Sequence, residues 1–259
     1  MIRRLGPFLS VAAAILLLLI LPARAERVGI VLMHGKQGVP DGNMARLGGR
    51  LEAAGHLVER PMLCWSHDRI YDKPFPDCLA EIDAAVARLK SRGADQIVVG
   101  GQSLGGSAAL AYGASRDGVA GVIAIVPAPA PGVARRPEIA RELERAKSLT
   151  AAGKGDQRIR FADVNQAPIS IETTPRIYVS FLDSEGPANL VANTGKLRAP
   201  LLWLTADQDG SAMTRAAGFG KAPQNPLNRY VTLHAGHFNA PDAAAGPMID
   251  WLVELGKVP

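Results

Sequence analysis

Short apolar runs alternate along this chain with segments whose apolar residues recur at every third or fourth position. Arg27 to Met33 is a buried strand that ends at His34-Gly35, and Gly35, Gly38, Pro40 and Gly42 make the next stretch a loop. Asn43 to Ala54 predicts a helix with Met44, Leu47 and Leu51 on one face and Gly55 as its stop. His56 to Arg60 is a short strand halted by Pro61, and Cys64 to Asp77 is a loop rich in aromatic residues and proline. Leu79, Ile82, Val86 and Leu89 again fall at helical spacing, with Gly93 as the stop. Gln96 to Gly100 is a β-branched strand, and a helix of small residues follows it from Gly106. Val119 to Val126 is the next strand. Leu201 to Thr205 and Arg229 to Leu233 are two more, and Asp242 to Gly256 is a closing helix that buries Met248, Trp251 and Leu252. Strands and helices in this alternation predict an α/β fold with a mostly parallel central sheet and helices on both faces.

Between Pro131 and Pro200 the pattern weakens. Arg136 to Ser148 reads as a helix charged on most faces, Arg176 to Phe181 as a strand, and residues 185–195 as another helix. Residues 132–199 therefore read as a cap insertion that would cover the site. There is no internal repeat and no low-complexity run.

The first 25 residues stand apart. Arg3 and Arg4 precede an unbroken apolar run from Val11 to Leu21, and Ala23-Arg24-Ala25 supplies small residues for a peptidase. This is the pattern of a secretory signal peptide cleaved before Glu26, leaving residues 26–259 as one domain in the periplasm or outside the cell. An uncleaved anchor is the other reading, but the run is short of the ~20 residues that span a bilayer, so no stable membrane span is expected after cleavage. Cleavage takes three arginines and no acid from a formal charge of +5, leaving +2. So small a charge, with no basic-aromatic stretch, argues against a nucleic-acid partner. The sequence sets no oligomeric state.

Cys64 and Cys78 are the only cysteines. In an exported chain an even count reads as a disulfide, here closing a loop worth roughly 3 kcal/mol in the chain-entropy model. Two buried thiols or a metal pair are the alternatives, and the spacing lacks the Cys-x-x-Cys form of a metal site.

The chemistry concentrates at Gly101-Gln102-Ser103-Leu104-Gly105, set between a strand and a helix. A serine on a sharp strand-to-helix turn has the geometry of a nucleophile elbow. The glycines flank it because a Cβ at either position would meet the neighbouring strand or helix. The turn aims the Leu104 backbone N–H, at the helix start, toward a forming oxyanion. The alternative is a turn serine beside a tight helix–strand contact.

With these residues the chain resembles the α/β-hydrolase superfamily, in a small single-domain form like the dienelactone-hydrolase and carboxylesterase groups. The resemblance covers nearly all of residues 27–257 and rests on His34-Gly35, the elbow, and an acid and a histidine in the order Ser, acid, His. It implies an acid after a late strand, where Asp207 and Asp209 compete in Thr205-Ala206-Asp207-Gln208-Asp209-Gly210; the family spacing favours Asp209. It implies a base just past the last strand, where His237 fits better than His234, which still belongs to the strand end. It implies an oxyanion loop at His34-Gly35-Lys36-Gln37-Gly38, with the N–H of Lys36 or Gln37 joining that of Leu104, and His34 itself holding the loop. Trp65 and Tyr71, in the loop that the disulfide would brace, are candidates for the substrate pocket or for a surface loop packed by its own aromatics.

The resemblance thus implies an exported serine hydrolase, with catalytic Ser103, Asp209 and His237, acting on a small ester or thioester through an acyl-enzyme. Triad chemistry needs no cofactor, and no metal-ligand cluster or phosphate loop appears in the sequence. Serine at 103 argues against the dehalogenases of this fold, which use Asp there, and against its Cys-based dienelactone hydrolases. Peptidase, amidase or acyltransferase action on the same triad, and a non-catalytic binding protein, are the other readings.

Overall fold

A computed structural model describes residues 27–127, 136–165, 167–210, 213 and 215–257. The expected signal segment lies outside these residues. Six strands form one sheet: β1 (Val28–Met33), β2 (Leu57–Glu59), β3 (Gln96–Gln102), β4 (Gly121–Ile125), β7 (Leu201–Ala206) and β8 (Arg229–Leu233), in the order β2-β1-β3-β4-β7-β8. Every pairing in it is parallel, as the alternation of strands and helices predicts. Parallel strands buried on both faces need no polar alternation, and β1, β4 and β7 are buried at every position.

Successive side chains point to opposite faces, so one sheet feeds two cores. Val31, Met33, Val99, Val122, Ala124 and Trp203 face α2 (Phe75–Ser91) and α3 (Leu104–Ser115). Ile30, Leu32, Val98, Ile123, Ile125 and Leu204 face α1 (Ala45–Ala53) and α7 (Ala240–Leu255). Among the described residues no helix is long and apolar enough to cross a membrane.

The weakly patterned stretch contains α4 (Pro137–Ala151), an antiparallel hairpin of β5 (Ile159–Asn165) and β6 (Ala167–Thr173), α5 (Pro175–Leu182) and the short α6 (Leu190–Thr194). The hairpin is a separate two-stranded sheet. One expectation fails here: Arg176 to Phe181 is not a strand but most of α5. The β-branched and aromatic residues suggest a strand, but Pro175 sits in the first turn of a helix and the Thr174 side chain caps the Ile177 N–H. Ile177, Tyr178, Phe181 and Leu182 are then buried together on one helical face.

Cys64 and Cys78 form a disulfide with Cα atoms 5.8 Å apart. It ties the loop after β2 to the first turn of α2.

Candidate active site

The loops that leave the C-terminal ends of β1, β3, β7 and β8 meet at one edge of the sheet, where parallel α/β sheets hold their ligands. Ser103, between β3 and α3, has φ 57° and ψ −120°. A residue with a side chain rarely adopts this backbone, and such strain persists only where the surroundings impose it. The glycines explain how the turn closes. A Cβ on Gly101 would lie 2.6 Å from the Gly105 carbonyl carbon and 2.7 Å from Met33 O, and one on Gly105 would lie 2.5 Å from Met33 O. Both collisions are with backbone, so neither can be relieved by turning a side chain.

Past β7 and β8 two Asp–His pairs form side by side. His237 Nδ1 lies 2.6 Å from Asp209 Oδ2, with side chains 13% and 5% exposed. His234 Nδ1 lies 2.8 Å from Asp207 Oδ2, but those side chains are 86% and 41% exposed. The two loops are joined by backbone bonds from Asp207 N to Leu233 O and from Gln208 N to Ala235 O, both 3.0 Å. Asp207 Oδ1 adds a bond from the Ala235 N–H at 3.1 Å. This pairing fixes the register that brings Asp209 opposite His237. The hydrogen bond from His234 holds the Asp207 carboxyl below its ordinary value, against a smaller opposing effect of desolvation and with help from the Ala235 N–H.

Gln102, which sequence reasoning did not single out, links the elbow to the histidine loop. Its Nε2 donates to His237 O at 3.1 Å, and its Oε1 accepts from Asn43 Nδ2 at 3.4 Å. The only hint in the sequence is its place: a long amide in a strand otherwise buried, immediately before the serine. Among the described residues His237 bonds to Asp209 and Gln102, and no hydrogen bond joins it to the Ser103 hydroxyl.

The loop after β1 lies against the serine. A Cβ on Gly35 would come within 2.6 Å of Gln102 Oε1 and 3.2 Å of Ser103 Cβ, so a side chain here would push the Gln102 amide aside and crowd the serine. His34 is buried and holds the loop from within: its Nε2 accepts the Leu63 N–H at 3.3 Å and its Nδ1 lies 2.8 Å from Gly35 O. Burial pushes its pKa down, with the Gly35 contact opposing. Of the two N–H groups expected as the second oxyanion donor, that of Gln37 is already used, donating to Trp65 O at 2.8 Å. The N–H groups of Lys36 and Leu104 take no hydrogen-bond partner among the described residues.

Trp65 and Tyr71, expected in the pocket wall, are buried, and with Lys36, Gln37 and Asp163 they line a small cavity behind the loop. The Trp65 indole donates to His34 O at 2.9 Å and so braces the loop from behind. Tyr71 stacks on Phe181 with ring centroids 4.1 Å apart, and its carbonyl accepts from Thr173 Oγ1 at 2.8 Å. Phe238, next to His237, is the aromatic residue that is exposed at this edge. Among the described residues no group of His, Cys, Asp and Glu could hold a metal ion.

No protein-family model and no curated relative matches the sequence. Solved structures do. An alpha/beta hydrolase, GrgF, from Penicillium sp. sh18 is 17% identical, with a TM-score of 0.65 over 90% of each chain. A monoacylglycerol lipase from Paleococcus ferrophilus is 19% identical, with a TM-score of 0.63 over 88% of this chain and 94% of that one. A metagenome-derived lipolytic enzyme of the LipS and LipT pair is 15% identical, with a TM-score of 0.63 over 90% of this chain and 94% of that one. The fold of this chain is the α/β-hydrolase fold.

Proposed function

We propose that this protein is an exported serine hydrolase that cleaves a carboxylic ester or thioester through an acyl-enzyme. The single observation that carries the reading is the largely enclosed Asp209–His237 pair, tied through Gln102 to a serine whose backbone is strained at φ 57°. Ser103 Oγ attacks the carbonyl carbon while His237 Nε2 takes its proton. Asp209 keeps the other imidazole nitrogen protonated and stabilises the imidazolium. The N–H groups of Lys36 and Leu104 receive the negative oxygen of the tetrahedral intermediate, each worth roughly 3 kcal/mol of barrier. His237 then gives the proton to the departing alkoxide or thiolate. Water, activated by the same imidazole, releases the acid and restores Ser103.

The solved lipases and the thioesterase domain among its structural neighbours agree with this bond class. Export is supported by the arginine pair and apolar run at the start of the sequence, and by the Cys64–Cys78 disulfide, a bond favoured outside the cytosol. A pre-steady-state assay with p-nitrophenyl esters, an acyl thioester and an anilide tests the reading. A burst near one equivalent on esters or thioesters, absent in Ser103→Ala, is expected. Wild-type turnover in Ser103→Ala refutes the nucleophile, and faster anilide than ester cleavage refutes the bond class.

A further inference from the structure

The inserted hairpin grips the candidate oxyanion loop through a buried ion pair. The Asp163 side chain, on β5, is fully enclosed, and the Lys36 ammonium donates to its two oxygens at 2.8 and 2.9 Å. Lys36 Nζ also donates to Val164 O at 3.0 Å. An ammonium has three protons, and the hairpin accounts for all of them. Asn165 continues the contact, its Nδ2 donating to Gln37 Oε1 at 3.0 Å and to Lys36 O at 3.4 Å. The carboxylate is itself fixed, because Asp163 Oδ1 also accepts the Val164 N–H at 2.7 Å. The Tyr71 ring flanks the ammonium at 5.5 Å, and burial with the Asp163 charge nearby pushes the Tyr71 phenol well above its ordinary value, so it stays neutral.

A buried ion pair is a poor way to gain stability, since taking both charges out of water offsets most of their attraction. What it supplies that an apolar contact does not is direction: one register and one orientation for the lysine. Lys36 directly follows Gly35, which packs on Ser103, and its backbone N–H is the donor assigned above to the oxyanion. Resting on the reading of Ser103 as nucleophile, we propose that Asp163 is a positioning residue that holds the Lys36 N–H where the oxyanion forms. Docking of the hairpin then sets the rate of acyl transfer and leaves substrate affinity alone.

The test compares Asp163→Leu, Lys36→Met, the double variant and Asp163→Asn for urea midpoint, kcat and KM on an aryl ester. The single apolar variants strand a buried partner and lose stability; the double variant strands none and regains it. In that refolded background kcat is expected to be about 10- to 100-fold below wild type at unchanged KM, because a small misplacement of a transition-state donor costs rate and not binding. Arg158→Gln, which breaks an exposed pair with Glu172 on the same hairpin, is expected to keep wild-type kcat. A stable double variant with wild-type kcat overturns the proposal. If the apolar variants fail to fold, the near-isosteric Asp163→Asn decides: it is expected to lower kcat several-fold at unchanged KM, and wild-type kcat there overturns the proposal equally. A wild-type protein without ester turnover or Ser103-dependent labelling is the separate outcome that refutes the nucleophile reading, and this proposal with it.

Discussion

Asp209 Oδ2 lies 2.6 Å from His237 Nδ1 in a nearly closed site, while two residues earlier Asp207 makes the same contact with His234 in open water. Two pairs of one chemistry thus differ in what surrounds them. In the closed pair the carboxylate has little water to compete with it, so it can orient the imidazole and stabilise its charge. In the open pair solvent screens the interaction and leaves it a brace for the loop.

Removing the charge from each acid separates the two. Asp209→Asn is expected to lower kcat by roughly 10³- to 10⁴-fold, as a wrong imidazole tautomer does in triads. Asp207→Asn is expected to cost a small part of that, through loosening of the Ala235 contact. Steady-state ester hydrolysis measures both, and the reverse ranking would assign the triad to Asp207.

The disulfide adds stability by restricting the unfolded chain. Its 14-residue separation corresponds to about 3 kcal/mol in the chain-entropy model. Urea unfolding of Cys64→Ala/Cys78→Ala should show a loss of that order at unchanged kcat. No loss would mean that the loop is held by its buried aromatics alone.

Glycine at the elbow answers to backbone collisions, and Gly49 on α1 meets none. Gly105→Ala drives a Cβ into Met33 O and should cost at least the ~1–3 kcal/mol typical of overpacking. Gly49→Ala, with open space around it on the exposed side of α1, should gain about 0.5–1 kcal/mol from helix propensity. Thermal unfolding of the two variants should move in opposite directions; a shift in the same direction contradicts the packing described for the elbow.

Acid should weaken the fold through its buried histidine. Burial lowers the His34 pKa below its ordinary value of 6.5, with the Gly35 contact opposing, and burial lowers that of His56 too. As pH falls through 6.5 the unfolded chain takes up protons that the folded one refuses, so this contribution is present above 6.5 and lost below it. Urea midpoints on either side of that pH should show the fall, and His34→Asn should flatten it. An equal slope in the variant would mean that other groups carry the acid sensitivity.

The central sheet was legible because its signals are local. A run such as Ile97-Val98-Val99 can only be buried on both faces, and Gly101 and Gly105 mark the elbow by their spacing around Ser103. The stretch between β4 and β7 was legible in part: the helices expected over Arg136 to Ser148 and over residues 185–195 are matched by α4 and α6, but between them local preference and tertiary packing disagree. Ile177 to Phe181 has the composition of a strand, and only the cap at Thr174 and the core waiting for one face make it α5. Within the site, the sequence could suggest Lys36 and Gln37 as donors but could not show that the Gln37 N–H is taken by Trp65 O, nearly thirty residues away. Asp163 left one trace: it follows Ile159 and Phe161 on one face of β5, and a buried charge in that register needs a partner. Its partner, Lys36, lies too far back in the chain for any local pattern to reveal.

Labelling with a fluorophosphonate, followed by peptide mass spectrometry, tests the nucleophile most directly. One adduct per chain on the peptide containing Ser103, lost in Ser103→Ala and slowed in His237→Ala, is the expected result. An adduct elsewhere, or labelling that survives Ser103→Ala, would contradict it.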